Sequence, residues 1–170
     1  MSSVPRPKIS VEEYLAMGRA AEVKSEFHDG QLFPVESPST AHSRIAATAA
    51  RSLDEKLSGT DCTVLGQPLH VRVSGTRFVY PDLLVVCGRP ELTDEHQDTV
   101  TNSKVVIEIL SLSTVNRDYG VKLQLYMELP NWAEYILIDQ YEPWVEVFRR
   151  RMQGTDWLFS PTPASMTQCR

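Results

Sequence analysis

The chain has 170 residues, 42% of them hydrophobic and 23% charged, with a formal net charge of −5. That length and composition describe one ordinary globular domain able to bury a core. The acidic balance argues against a protein that coats nucleic acid through a global positive field, while leaving a local basic patch open.

The N-terminus, MSSVPRPK, lacks the apolar centre of a signal peptide, and apolar runs such as LLVVC are far too short to span a bilayer. A cytoplasmic chain with no membrane partner is expected. In "ISVEEYLAM", Ser10 is placed as an N-cap with Glu13 completing a capping box and Ile9 able to staple onto Tyr14, so a short helix should start here. "KSEFHDGQLFPV" puts Asp29-Gly30 between two short runs, the signature of a two-residue hairpin that sets Glu26 opposite Phe33 and Phe27 opposite Leu32. After the turn residues "SPST", the run "HSRIAATAARSLDEKL" has apolar positions at helical spacing, with His42 on the inward stripe beside Ile45, Ala46 and Ala49.

"QPLHVRV" alternates as a strand, Ser74-Gly75 turns the chain, and "FVYPDLLVVC" is expected to return as one strand with Pro81 near its start. His70 and His96 read as surface residues. Cys62, Cys87 and Cys169 show no C-x-x-C spacing, and their odd number speaks against a disulfide framework and a zinc knuckle. Residues 88 to 103 form a polar loop before "VVIEILSLST", a strand apolar on both faces except at Glu108. "NRDYGVKLQLYMEL" resumes a helical pattern, and "EYILID" and "WVEVFRR" form a strand pair around Pro143. From about residue 154 the tail shows no periodicity and reads as irregular. The whole, residues 1–170, is expected to be a single α/β domain: a central mixed β-sheet flanked by helices.

Asp82 and Glu108 are each an acid among apolar strand neighbours. One such residue is explained by a strand end or an arginine partner, but two brought together repel unless a cation lies between them. Oxygen ligation by one or two carboxylates and water suits Mg²⁺, with Mn²⁺ as substitute. Lys122, in the helical stretch after Glu108, falls on a stripe with Tyr119 and Tyr126 and is the candidate counter-charge; an isolated lysine of this kind more often snorkels to solvent. Arg149, Arg150 and Arg151 form a basic cluster that either touches phosphates or caps a solvated strand end.

The run Glu26-x-x-Asp29-Gly30, His42 opening a helix, Pro81-Asp82, "VIEILSLST", "RDYGVKLQLY", "EYILID" and "VEVFRR" together resemble the Uma-two family, bacterial proteins classed with the endonucleases, over about residues 8 to 150. The resemblance implies the PD-(D/E)XK nuclease superfamily and its restriction-endonuclease-like fold. It implies a Mg²⁺-dependent phosphodiester hydrolase acting on DNA, possible as a homodimer. Asp82 is then the motif aspartate and Glu108 the second acid, ligating the metal with the backbone carbonyl of Ile109. In the common motif the lysine stands two residues after the acid, where this chain has Leu110. The family draws it from the following helix, which makes Lys122 the migrated lysine. Glu26 is the outlying acid, holding a water or a second ion, and His42 is secondary, a packed histidine brought near the site. The chain departs from the family pattern at Leu112, where a proline is usual, at His28, and in its shorter tail. Two rival readings are a binding or assembly module that keeps the nuclease fold without turnover, and a structural homodimer whose acids form interchain salt bridges.

Overall fold

The computed structural model describes residues 8–93, 96–150 and 157–163. Helix α1 (Val11–Ala20) begins at Ser10, whose hydroxyl accepts from the Glu13 N–H while the Glu13 carboxylate accepts from the Ser10 N–H. Strands β1 (Ser25–His28) and β2 (Gln31–Pro34) form the expected hairpin, with Glu26 opposite Phe33 and Phe27 opposite Leu32. Asp29 and Gly30 both adopt positive φ, as a type I′ turn requires. Helix α2 (Thr40–Leu57) is capped by Ser39 and lies against strands β3 (Cys62–Gly66) and β8 (Val105–Leu110).

The strands sort into two mixed sheets rather than one. The first has the order β2-β1-β5-β4-β7, with β4 at His70–Ser74, β5 at Arg77–Val79 and β7 at Thr99–Val100. The second is six-stranded, β11-β10-β9-β8-β6-β3, with β6 at Leu83–Cys87, β9 at Glu134–Asp139, β10 at Trp144–Arg150 and β11 at Trp157–Pro163. The run "FVYPDLLVVC" is thus not one strand. β5 pairs with β1 and β4 while β6 pairs with β3 and β8, so the chain changes sheets at Tyr80-Pro81-Asp82. Proline lacks the N–H that a continuing ladder would need, and the break falls beside it.

Val71, Val73 and Val79 from the first sheet and Leu84, Val86, Val106 and Leu137 from the second share one core. A smaller cluster, Tyr14, Phe27 and Phe78, lies under α1, with Ile9 packed on it as the staple reading requires. Between the parallel strands β8 and β9 the chain forms helix α3 (Val115–Arg117), a π-helical turn (Asp118–Lys122) and helix α4 (Leu123–Met127).

Three further expectations are corrected. Cys62 and Cys87 are opposite each other on β3 and β6 and form a disulfide, since the ladder joins positions 25 residues apart that spacing alone does not connect. His70 is buried, hydrogen-bonded to Thr99 and Tyr80, because its alternation in β4 turns it inward; His96 is exposed. Residues 157–163 of the tail pair with β10 as an edge strand where irregular chain was expected. Cys169 and Arg151 lie outside the described residues. Among the described residues no helix is long and apolar enough to cross a membrane.

Candidate active site

Four separated segments bring their acids to one cleft. Glu26 comes from β1, Asp82 from the sheet crossing, Glu108 from the middle of β8, and Asp118 and Lys122 from the π-helical turn; all line a cavity of about 360 Å³ together with His42, Ile109 and Arg117. The sequence-derived residues Asp82, Glu108, Lys122, Glu26, Ile109 and His42 therefore lie together.

Lys122 is the hub. Its Nζ is 2.9 Å from Glu108 Oε1, 3.2 Å from Glu26 Oε1 and 3.5 Å from Asp118 Oδ1, and all four residues are buried. It does not snorkel. A π-helical turn widens the helix by one residue, and such turns recur at functional sites; here Asp118 and Lys122 are buried while Tyr119 and Val121 are exposed, so Tyr119 does not share the inward stripe. Burial pushes the Glu108 carboxyl well above its ordinary range; Lys122 opposes this, while Asp118, Asp82 and Glu26 add to it. Asp118 is raised by burial too, against the pull of Lys122. For Lys122 burial works against the charge, but the carboxylates of Glu108, Glu26 and Asp118 outweigh it and hold the ammonium charged.

Asp82 is fixed from three sides. Its Oδ1 is 2.9 Å from His42 Nε2 and 3.3 Å from Gln67 Nε2, and its Oδ2 accepts from the Ile109 N–H at 2.8 Å. The contact of Ile109 with this acid is through its amide; metal ligation by its carbonyl belongs to the functional proposal below. Glu26 accepts from the Tyr80 N–H at 3.3 Å and pairs with Arg117 at 2.5 Å, whose guanidinium lies 4.7 Å over the Phe33 ring.

Four residues at the site were not singled out by sequence reasoning. Arg117 and Asp118 stand inside the "RDYGVKLQLY" run, in which the family resemblance marks only the lysine. Tyr126 donates its hydroxyl to Glu108 Oε1 at 2.8 Å, and its i+4 spacing from Lys122 was the available signal. Gln67 had none, since its approach to Asp82 depends on the β3–β6 ladder.

Five acids, Glu26, Asp82, Glu108, Asp118 and the exposed Glu36, line the cleft against two cations, Lys122 and Arg117, an acidic surplus that a divalent ion would neutralise. Among the described residues, no three His, Cys, Asp or Glu side chains of the cleft converge within one ion's reach; the group that does is Asp61, Cys62 and Cys87, whose thiols are joined. An ion in the cleft would therefore take at most two carboxylates and complete its shell with carbonyl and water oxygens, which is the habit of Mg²⁺. The residues fit such an ion.

The model of the Uma2 family, described as "Putative restriction endonuclease", matches residues 11–167. The chain belongs to the Uma2 family. Two uncharacterized proteins of Synechocystis sp. (strain ATCC 27184 / PCC 6803 / Kazusa) are similar along most of their length. One, sll1609, is 29% identical over 153 residues, 89% of this chain and 86% of its own; the other, slr1290, is 30% identical over 164 residues, 96% of this chain and 85% of its own. The crystal structure of a putative nuclease belonging to DUF820 from Anabaena variabilis ATCC 29413 superposes with a TM-score of 0.67 at 19% identity, covering 89% of this chain and 83% of that one. The Uma2 member thus has the restriction-endonuclease-like α/β fold expected from its sequence.

Proposed function

We propose that this Uma2 protein is a Mg²⁺-dependent endonuclease that hydrolyses phosphodiester bonds in DNA. The observation that carries the reading is the convergence of Asp82, Glu108, Lys122 and Glu26, from four separate chain segments, on one cleft. Asp82 and Glu108, with the Ile109 carbonyl, would hold the ion. Bound there, Mg²⁺ supplies Lewis-acid polarisation of the phosphate and a nucleophile at neutral pH. Lys122 orients the attacking water and offsets the negative charge that develops on the phosphate. His42 and Gln67 hold the Asp82 carboxylate in place, and Arg117 does the same for Glu26.

One observation favours a second reading, a nuclease fold kept as a binding or assembly module: the Lys122 ammonium is already engaged by three carboxylates. Two measurements on the full chain decide between them. Mn²⁺ or Mg²⁺ at 100 times its dissociation constant should stabilise the protein by about 2.7 kcal/mol, and Asp82→Asn should remove most of that response. Supercoiled plasmid should be nicked in the presence of the metal and not by the variant. A melting temperature indifferent to metal overturns the metal site; a metal response without nicking leaves the binding module.

A further inference from the structure

Among the described residues the cleft's rim has no basic side chain of the kind a duplex-binding surface needs: Glu36, Ser37, Ser39 and Ser113 stand on it, with large apolar side chains between them. Leu112 and Tyr141 line it while remaining 80% and 60% exposed, and Pro34, Val35 and Pro38 continue the wall. Both exposed side chains stand on fixed backbone. Tyr141 follows β9 in a turn whose N–H groups at Tyr141 and Glu142 donate to Asp139 Oδ1 at 2.7 and 3.0 Å. Leu112 sits at the tip of the Ser111–Thr114 turn, which is closed by the Thr114 N–H on the Ser111 carbonyl and by hydroxyl contacts among Ser111, Ser113 and Thr114.

The cations point the other way. Lys122 is buried and held by three carboxylates, and Arg117 is paired with Glu26. Arg149 is paired with Glu134, and Arg150 donates to the Leu129 and Pro130 carbonyls; neither lines the cleft. Duplex binding draws its affinity from neutralised phosphates, and among the described residues the cleft offers no row of lysines or arginines to follow two backbones. Base stacking on an exposed aromatic ring needs no such row, and is open to any nucleotide whose base is unpaired.

We propose that the site takes unpaired DNA, a single strand or a displaced nucleotide, with Tyr141 as the stacking platform and Leu112 as the opposing apolar contact. This rests on the nuclease reading for the position of the strand over Asp82 and Glu108, and names the substrate class of that site. The test is fluorescence anisotropy of the full chain in Ca²⁺, a divalent ion that offsets the cleft's acids, against a labelled single strand, its blunt duplex, and an abasic strand of the same length. The single strand should bind at least ten times tighter than either comparator. Stacking is worth about 1–3 kcal/mol per base, so Tyr141→Ala should weaken single-strand binding roughly 5- to 150-fold, while Tyr141→Phe restores it. Duplex binding as tight as single-strand binding, equal binding of the abasic strand, an unaffected Tyr141→Ala protein, or binding to none of the three overturns the proposal. Because no turnover is measured, a chain that never cuts DNA can still pass, and one that nicks plasmid can still fail.

Discussion

Replacing Lys122 with alanine removes the charge that holds three buried acids together. Glu26 keeps Arg117 and Glu108 keeps the Tyr126 hydroxyl, but the negative charges of Glu108 and Asp118 lose their shared cation. Breaking a buried ion pair by removing one partner typically costs about 3–5 kcal/mol, a large share of the roughly 5–15 kcal/mol that keeps a domain folded. The loss should depend on pH in a definite direction. Burial raises the folded-state pKa of both Glu108 and Asp118 even against the pull of Lys122, so removing the ammonium raises both further and the variant's native state binds protons over a wider pH range than the wild type's. Their protonation relieves the variant fully below the unfolded carboxyl pKa, about 4, and that relief is lost as pH rises through the folded values. Urea unfolding followed by circular dichroism at pH 5 and pH 8 should therefore show a larger deficit at pH 8. A deficit below about 1 kcal/mol at pH 8, the scale of an exposed ion pair, or one equal at both pH values, would refute the view that this ammonium balances buried carboxylates.

Two other perturbations probe the supports of the site. Tyr126→Phe removes a donor to Glu108 Oε1 and should cost about 1.5–3 kcal/mol, the range for a hydrogen bond to a charged group; an unchanged urea midpoint would show that the hydroxyl does not bear on that carboxylate. Cys62→Ser opens the link across a separation of 25 residues and should cost about 3.5 kcal/mol by loop-closure entropy. Reduction of the wild type should match it, and a melt insensitive to reductant would show the two thiols unlinked in solution.

What the sequence made legible was local. The capping box at Ser10 and the Asp29-Gly30 turn are short patterns with one geometric solution, and from them follow the pairing of Glu26 with Phe33 and the inward position of Glu26. Strand β8 was readable because apolar residues on both faces leave it nowhere but the interior. Contacts made by distant strands were not. The Cys62–Cys87 bond and the reach of Gln67 to Asp82 both require β3 to lie beside β6, and nothing in either segment alone demands that neighbour. The disulfide also sits uneasily with a cytoplasmic location, where thiols are kept reduced. The division of "FVYPDLLVVC" between two sheets was available in principle from Pro81, but a proline near a strand start and a proline between two strands leave the same mark in the sequence.

The π-helical turn at Asp118–Lys122 also acts as a phase shifter. Leu125 and Tyr126 anchor α4 in the core, and Lys122 precedes Tyr126 by one turn, so these residues share a fixed angular setting. Everything before the turn, including Arg117 on Glu26 and the Leu112 tip at the rim, reaches its place through the extra residue. Deleting Gly120 would reset the turn to α-helical pitch and swing that upstream segment by about 100°. Lys122 and Tyr126 would still face Glu108, while Arg117 and Asp118 would be turned away from it. Insertions and deletions here are therefore rotations of one wall of the cleft against another, and length between residues 117 and 122 is under a stricter constraint than the identity of the exposed residues it contains.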